Sequence, residues 1–320
     1  MGAISMGTTM RKLGSGRILQ SLSSGRCLAV LALAVMAAPA LADGQALTGT
    51  LKKIKNDGIV VVGVRDASVP FSYYDAQQKP IGYSIDFSNM IIAELKKTLG
   101  MPDLKLRMIP ITSQNRISLL QNGTFDFECT TTTHNESRAK QVDFTNSIFE
   151  IGTRLLVGKD SGIKDFADLQ GKTVVVGAGT TSEKILRTMN AEKKMDMRII
   201  SAKDHSESFL MLSTGRAKAM MMDDALLAGE RAKTRKPADY VITGTPQSQE
   251  VYGCMLRKND EGLKALMNRV IAHAQTSGEA AGIYRKWFMS PIPPKGLNLD
   301  FPMSDAMKAL FAHPNDKPVS

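Results

Sequence analysis

Cysteine, histidine and tryptophan are scarce in this chain, which has 3, 4 and 1 of them among 320 residues. No two histidines stand four positions apart, so neither a helical metal pair nor a four-ligand structural zinc site is predicted. The sequence also lacks HExxH and a serine in a nucleophile elbow. These absences exclude the commonest metallopeptidase and serine-hydrolase sites, and no catalytic set emerges from the motifs.

Long apolar runs are absent beyond the amino terminus. The short run Cys27–Ala38 follows a basic lead without acids and precedes the small-residue site Ala40-Leu41-Ala42. This order predicts a secretory signal peptide over residues 1–42, cleaved before Asp43, and therefore a soluble periplasmic protein. The alternative is an amino-terminal membrane anchor, but the run is shorter than the roughly 20 residues that span a bilayer.

Charge of one sign does not dominate the mature chain. Cleavage leaves 37 basic and 31 acidic side chains, so the net charge falls from +10 to +6. The lysines and arginines are scattered and do not alternate with aromatic residues, as in many nucleic-acid-binding segments. Nucleic acid is therefore not a predicted partner, and the charges are interpreted as solvated helix faces.

Two cysteines, Cys129 and Cys254, remain after cleavage. Export places them in an oxidising compartment, and an even count permits one disulfide. A bridge between Cys129 and Cys254 is the resulting hypothesis.

Apolar periodicity predicts two successive α/β units. In the first, Asp86 is expected to cap a helix that ends at Gly100, and a shorter helix covers Gln114–Gln121. In the second, a helix follows the glycine turn and another is expected to begin at a Ser206 cap. The predicted strands are Ile59–Val64, Leu104–Ile109, Phe125–Cys129, Lys172–Val176, Arg198–Ser201, Ala217–Met222 and Val251–Leu256.

The two units could be tandem domains, or the second could be inserted into the first. Insertion is favoured because the long amphipathic helix that starts at Asp260 needs an apolar surface, which the sheet of the first unit offers. The predicted organisation is a signal peptide (1–42), a discontinuous first lobe (43–150 and 247–320) and an inserted second lobe (151–246). Two connecting strands would then form a hinge with a ligand cleft between the lobes.

The stretch Ile111–Arg138 carries the strongest chemical signal. Arg116 stands inside an apolar helical pattern, where a guanidinium could meet a carboxylate bidentately. Thr130–Thr133 follow a predicted strand, at the end of a sheet where α/β proteins bind ligands. The alternatives are an exposed arginine on a helix edge and a threonine run that merely continues the strand.

Three further positions in the second unit are candidates. Gly177–Ser182 is a strand–glycine–helix turn whose amides attract anions, although it has no GK[ST] and no third glycine. Asp223 at a strand end could receive an ammonium or simply cap the next helix. His205 could donate to an anion or lie in a surface loop.

Long segments of the chain resemble a known family. They are VVVGVRDASVPFSYYD, PITSQNRISLLQNGTFDFEC, GTTSEKILRTMNAEKKMDMRIISAKDH, MMMDDALLAGERAK, PQSQEVYGCMLRK and QTSGEAAGIYRKWFMSPIPPK. With them the chain resembles the periplasmic glutamate/aspartate-binding proteins of ABC amino-acid transporters. The resemblance implies the α/β type II periplasmic-binding-protein fold, in which two lobes joined by a two-strand hinge enclose a ligand cleft. It also implies a monomer without cofactor or metal that binds L-glutamate or L-aspartate and docks on an inner-membrane permease.

The resemblance also assigns roles to positions of this chain. Arg116 matches an arginine that clamps the α-carboxylate, helped by the amide of Thr181 in the opposite lobe. Three positions match ligands of the α-ammonium: Thr131, Thr133 and Asp223. Three others match groups that bind a side-chain carboxylate: Arg65, Ser113 and His205. One departure is that the family often has glycine and serine where this chain has Thr130 and Thr131.

Two other classes of function stay open at this level. An enzyme on the same fold would need a general acid in the cleft, for which Glu128 is the candidate by position. A sensory binding module would carry a fused membrane or kinase segment, and none is recognised in the sequence.

Overall fold

The computed structural model describes residues 47–320. The predicted signal peptide, 1–42, lies outside this range. Within 47–320, no helix is both long and apolar enough to cross a membrane.

The described residues form ten α-helices, two short 3-10 helices (Phe166–Leu169 and Pro237–Asp239) and twelve strands. The helices are α1 (Gly49–Asp57), α2 (Tyr83–Thr98), α3 (Arg116–Gln121), α4 (Glu136–Ala139), α5 (Thr181–Glu192), α6 (His205–Ser213), α7 (Asp224–Ala232), α8 (Glu261–Ser277), α9 (Glu279–Phe288) and α10 (Asp305–Ala312). The strands are β1 (Ile59–Val64), β2 (Ala67–Ser68), β3 (Ser72–Tyr74), β4 (Pro80–Ile81), β5 (Lys105–Pro110), β6 (Phe127–Glu128), β7 (Asp143–Gly158), β8 (Thr173–Gly177), β9 (Arg198–Ala202), β10 (Ala219–Asp223), β11 (Tyr240–Thr243) and β12 (Gln249–Leu256).

Nine of the strands are joined in the order β5-β1-β6-β12-β7-β10-β8-β9, and β11 also pairs with β7. The strand β7 belongs to both halves of this arrangement. Its residues 143–152 pair antiparallel with β12, and its residues 153–158 pair antiparallel with β10 and β11. We call β5, β1, β6 and β12 the first half of the sheet and β10, β8, β9 and β11 the second half. Within each half, β1 pairs in parallel with β5 and β6, and β8 with β9 and β10.

Apolar clusters support the sheet, and the largest of them includes residues of both halves, such as Val60 of β1 and Met220 of β10. Under the second half, Val174, Val176 and Met221 pack with Leu186 of α5. The larger cluster is centred on Phe149 of β7, whose ring stacks on Phe288 of α9 at 5.0 Å and meets Phe71 edge-on at 4.8 Å. Aromatic pairs of this geometry add stabilisation to the area that they bury. Helix α9 therefore packs beside the part of β7 that pairs with β12.

Two glycines allow backbone segments of the two halves to approach closely. A Cβ atom on Gly229 of α7 would lie 2.1 Å from the carbonyl oxygen of Val69. A Cβ atom on Gly179, which has φ +75°, would lie 2.9 Å from Cα of Gln114. Only glycine fits either contact, and each joins a segment that precedes β7 to one that follows it.

Several local predictions are wrong in instructive ways. Asp86 does not cap α2, which begins at Tyr83; its carboxylate instead accepts a hydrogen bond from Trp287 Nε1 at 2.7 Å. The cap of α6 is Asp204 and not Ser206, since the Asp204 side chain accepts the amide of Glu207. Helix α1 and the first half of β7 were not predicted.

The predicted cysteine pair is present as a disulfide. Cys129, one residue after β6, is bonded to Cys254 in β12. Because β6 and β12 are neighbours in the sheet, the bridge joins two adjacent antiparallel strands.

Candidate functional site

Arg116 is the first residue of α3, and its side chain is buried. Its Nη1 donates to the carbonyl of Thr131 at 3.1 Å and to Thr132 Oγ1 at 2.5 Å. The Thr132 hydroxyl donates in turn to the buried carboxylate of Glu128. Burial lowers the pKa of Arg116, and the negative charge of Glu128 opposes that shift. The arginine therefore points into the protein, and the alternative of an exposed helix edge is wrong.

The four threonines lie beyond the end of β6 but stay beside β12. Strand β6 ends at Glu128, and Thr130–Thr133 are all buried. Thr133 makes an isolated antiparallel bridge to Tyr252 of β12. The run thus forms a buried loop at the end of a strand, where its carbonyls and hydroxyls contact arginine side chains.

Arg65 and His205 approach Arg116 from two different elements. Arg65 follows β1, is buried, and donates from Nη1 to Ser113 Oγ at 2.9 Å. Burial and the charge of Arg116 lower the pKa of Arg65 to about 10, so it stays protonated at neutral pH. His205 begins α6; burial, and then the charge of Arg65, lowers its pKa well below 6.5. The imidazole is therefore neutral and can still donate one N–H.

Asp223 lies at the end of β10 and makes no capping hydrogen bond to α7 with its side chain. Its Oδ2 accepts from the hydroxyl of Tyr252, and Oδ1 has no hydrogen-bond partner among residues 47–320. Burial, and then the charge of Glu250, raises the pKa of Asp223 to about 8. A nearby cation would stabilise the ionised form of this buried carboxylate.

The amide end of α5 supplies the remaining predicted group. Thr180 caps the helix by accepting the amide of Glu183, which leaves Thr181 as the first helical residue. The hydroxyl of Thr181 donates to Glu250 Oε2 at 3.0 Å. The first amides of a helix attract anions, so this terminus adds a group of partial positive charge to the two arginines of the site.

Two residues of the site were missed by sequence reasoning. Arg138 in α4 donates from Nη1 to the carbonyl of Thr133 at 3.1 Å and from Nη2 to that of Gly179 at 3.3 Å. Burial and the charge of Arg116 lower its pKa to about 9. Glu250 in β12 is buried and accepts from Thr181 and Ser248. The position of Arg138 soon after the threonine run could have indicated that it belongs to the site. No sequence pattern indicates this for Glu250.

Direct contacts and neighbouring charges thereby link the eight predicted site residues into one cluster, which also includes the two unpredicted residues Arg138 and Glu250. Buried polar atoms normally find partners, yet Arg116 Nε, His205 Nδ1 and Asp223 Oδ1 have none within the described chain. The cluster combines cationic donors with a carboxylate acceptor. Such a set suits a small ligand that carries both negative and positive groups. Residues 47–320 hold no group of three or more His, Cys, Asp or Glu arranged to bind a metal.

Comparisons with known proteins agree with this chemistry. Residues 60–290 match the family model of bacterial extracellular solute-binding proteins, family 3. The chain is 58% identical to a glutamate/aspartate import solute-binding protein of Salmonella typhimurium, over 97% of this chain and 99% of the relative. It is 57% identical to an L-glutamate/L-aspartate-binding protein of Pseudomonas aeruginosa, over 94% and 98% of the two chains.

The fold is also found among solved structures. A mutant of ArgBP from T. maritima superimposes with a TM-score of 0.66 at 29% identity, covering 75% of this chain and 99% of that one. The predicted α/β fold of type II periplasmic binding proteins is confirmed. The chain belongs to the bacterial extracellular solute-binding proteins of family 3.

Proposed function

We propose that this chain is the exported substrate-binding subunit of an ABC importer, which captures L-glutamate or L-aspartate and delivers it to a membrane permease. The observation that carries the proposal is the cluster of three buried arginines, Arg65, Arg116 and Arg138, together with the buried Asp223, whose Oδ1 has no hydrogen-bond partner within residues 47–320. An acidic amino acid has two carboxylates and one ammonium, which matches this set. The relatives named for glutamate and aspartate support the same ligands.

The two carboxylates of the ligand call for two separate groups of donors. Arg138 lies beside the amino terminus of α5, because it bonds the carbonyl of Gly179, two residues before Thr181. In this proposal, Arg138 and the amide of Thr181 hold the α-carboxylate, and Asp223 and Thr133 receive the ammonium. Arg116 was expected on the α-carboxylate from the sequence. Its proximity to Arg65 favours the side-chain carboxylate instead.

The side-chain carboxylate would then meet Arg65, Arg116, Ser113 and His205. A neutral amide would leave the buried guanidinium of Arg65 without a charged partner, which is costly in a desolvated site. The neutral state of His205 suits this role because its N–H donates without adding a fourth positive charge. These groups would favour glutamate and aspartate over glutamine and asparagine.

We further propose that the ligand is enclosed by two lobes, residues 43–150 with 247–320 and residues 151–246. Arg65, Arg116 and Arg138 belong to the first, whereas Thr181, His205 and Asp223 belong to the second. A ligand that contacts both sets would stabilise the closed arrangement by its differential affinity. The first part of β7 pairs with β12 of the first half and the second part pairs with β10 of the second half, which supports a hinge in this strand.

The enzyme alternative has less support. Glu128 is held by Thr132 beside Arg116, so it acts as a counter-charge within the site. The relatives are named as binding proteins for import.

Replacing each arginine by methionine tests the assignment of the two carboxylates. Arg138→Met should weaken the binding of L-glutamate and the already weaker binding of L-glutamine by similar factors, because both ligands have an α-carboxylate. Arg116→Met should weaken L-glutamate much more than L-glutamine, by about 2–5 kcal/mol, since only glutamate has the second charge. Titration calorimetry on refolded, ligand-stripped protein measures both.

Arg107→Met, at an exposed arginine of β5, is the matched control and should bind like wild type. Equal losses for both ligands in Arg116→Met would return the α-carboxylate to Arg116 and contradict the assignment above.

The close contact of Gly229 with Val69 tests lobe closure. In Gly229→Ala the new methyl group would collide with the Val69 carbonyl, so the lobes should close incompletely and L-glutamate should bind more weakly. Small-angle X-ray scattering with saturating L-glutamate should give a larger radius of gyration than wild type. Gly158→Ala, where a Cβ meets no atom within 4 Å, is the control. Wild-type compaction and affinity in Gly229→Ala would refute the role of this contact in closure.

The raised pKa of Asp223 predicts a pH dependence of binding. Below about pH 8 the carboxyl keeps its proton until the ligand ammonium displaces it, so affinity for L-glutamate should rise from pH 6 to 8 and then level off. The rise is at most about tenfold per pH unit. His205 is neutral throughout and contributes no step. Calorimetry at half-unit intervals measures the profile, and Asp223→Asn should flatten it. A flat wild-type profile would contradict the role of Asp223.

A further inference from the structure

Glu250 is a buried carboxylate that the proposed ligand contacts leave unused. It is the second residue of β12 and is 2% exposed. Its Oε1 accepts from Ser248 Oγ at 3.0 Å, and its Oε2 accepts from Thr181 Oγ1 at 3.0 Å. Burying a carboxylate is costly unless donors and counter-charges surround it, so its retention here calls for a role.

A chain of side-chain hydrogen bonds runs through this carboxylate. Ser248 shares a 2.9 Å hydrogen bond with Thr153 of β7, and Glu250 connects Ser248 to Thr181. Thr153 and Glu250 belong to the two strands that pass between the halves of the sheet. Thr181 is the first residue of α5. The chain therefore fixes the amino terminus of α5 relative to the connecting strands.

The charge of Glu250 acts on both sides of the site. It helps to keep the guanidinium of Arg138 protonated against burial, and it opposes ionisation of Asp223. The other titratable groups that interact with Asp223 are Tyr252 of β12, Asp224 of α7, Arg138 of α4 and Arg116 of α3. The Glu250 side chain is thus hydrogen-bonded to the first residue of α5, and its negative charge partly balances the positive charge of Arg138.

We propose that Glu250 is a positioning residue for ligand capture, which holds the amino terminus of α5 through Thr181 and serves as the counter-charge of Arg138. Glu250 does not touch the amino acid in this scheme. It acts by setting the two groups that bind the α-carboxylate at the correct separation. This inference rests on the proposed function, since it names how that same site is assembled.

The test compares Glu250→Gln, Thr181→Val and the double variant. Glu250→Gln keeps the shape but removes the charge. At pH 8.5, where Asp223 is largely ionised in both proteins, it should raise the Kd for L-glutamate at least about tenfold, the effect of roughly one lost charge-assisted hydrogen bond. Thr181→Val removes the same contact from the other side. The double variant should lose no more than the worse single variant, because both act through one interaction.

The pH profile separates positioning by charge from a merely structural role. Without the negative charge of Glu250, the pH at which affinity levels off should move below the wild-type value of about 8. Glu192→Gln, at an exposed position of the same helix α5, should leave both Kd and profile unchanged. Circular dichroism and thermal unfolding report whether each variant is folded, and Thr181→Val provides the test of the contact if Glu250→Gln does not fold.

Each outcome has a definite meaning. If wild type binds neither L-glutamate nor L-aspartate, the proposed function fails. If wild type binds and Glu250→Gln or Thr181→Val binds equally tightly, this inference alone is overturned. Additive losses with an unmoved pH profile in Glu250→Gln would also overturn it, because Glu250 would then be only a structural residue.

Discussion

The burial of guanidinium groups is the constraint on which the site depends. Arg65, Arg116 and Arg138 are all at least nine-tenths buried, and burial lowers the pKa of each. Removing such charges from water costs several kcal/mol per ion unless partners compensate. Carbonyls of the threonine loop, the hydroxyls of Ser113 and Thr132 and the carboxylates of Glu128 and Glu250 provide that compensation. A ligand with two carboxylates would complete it.

The fold supplies this set from elements that are distant in sequence. Strand β7 pairs with β12 along 143–152 and with β10 and β11 beyond that, so one continuous strand holds both halves of the sheet. Strand β12 carries Glu250 and Tyr252, which contact Thr181 and Asp223 of the second half. The disulfide joins β12 to the start of the threonine loop. The strands that connect the halves are thus also the strands that position the site.

Local sequence patterns were sufficient to predict many of the strands and part of the candidate site. Arg116 could be picked out because it stands among apolar residues at helical spacing. The strands β1, β8 and β10 could be predicted because they contain the apolar runs Ile59–Val62, Val174–Val176 and Ala219–Met222. Arg138 was missed because its burial depends on the approach of Gly179, about 40 residues further on. Nothing local distinguishes Glu250, whose partner Thr181 lies 69 positions away.

The misplaced helix starts have a similar cause. Asp86 and Ser206 are good capping residues, but tertiary contacts decide which polar side chain is free to cap. Asp86 is bonded to Trp287, 201 positions away, and Asp204 takes the capping position of α6. The initial part of β7, DFTNSIFEI, shows neither strict polar–apolar alternation nor a continuous apolar run, so only its pairing with β12 identifies it as a strand.

The most direct measurement of the central claim is titration calorimetry of the mature protein, unfolded and refolded to remove bound ligand, against L-glutamate, L-aspartate, L-glutamine, L-asparagine, L-arginine and L-histidine. We expect tight binding of L-glutamate or L-aspartate and much weaker binding of their amides. Tight binding of a neutral or basic amino acid would contradict the proposal that the buried arginines bind a second carboxylate of the ligand.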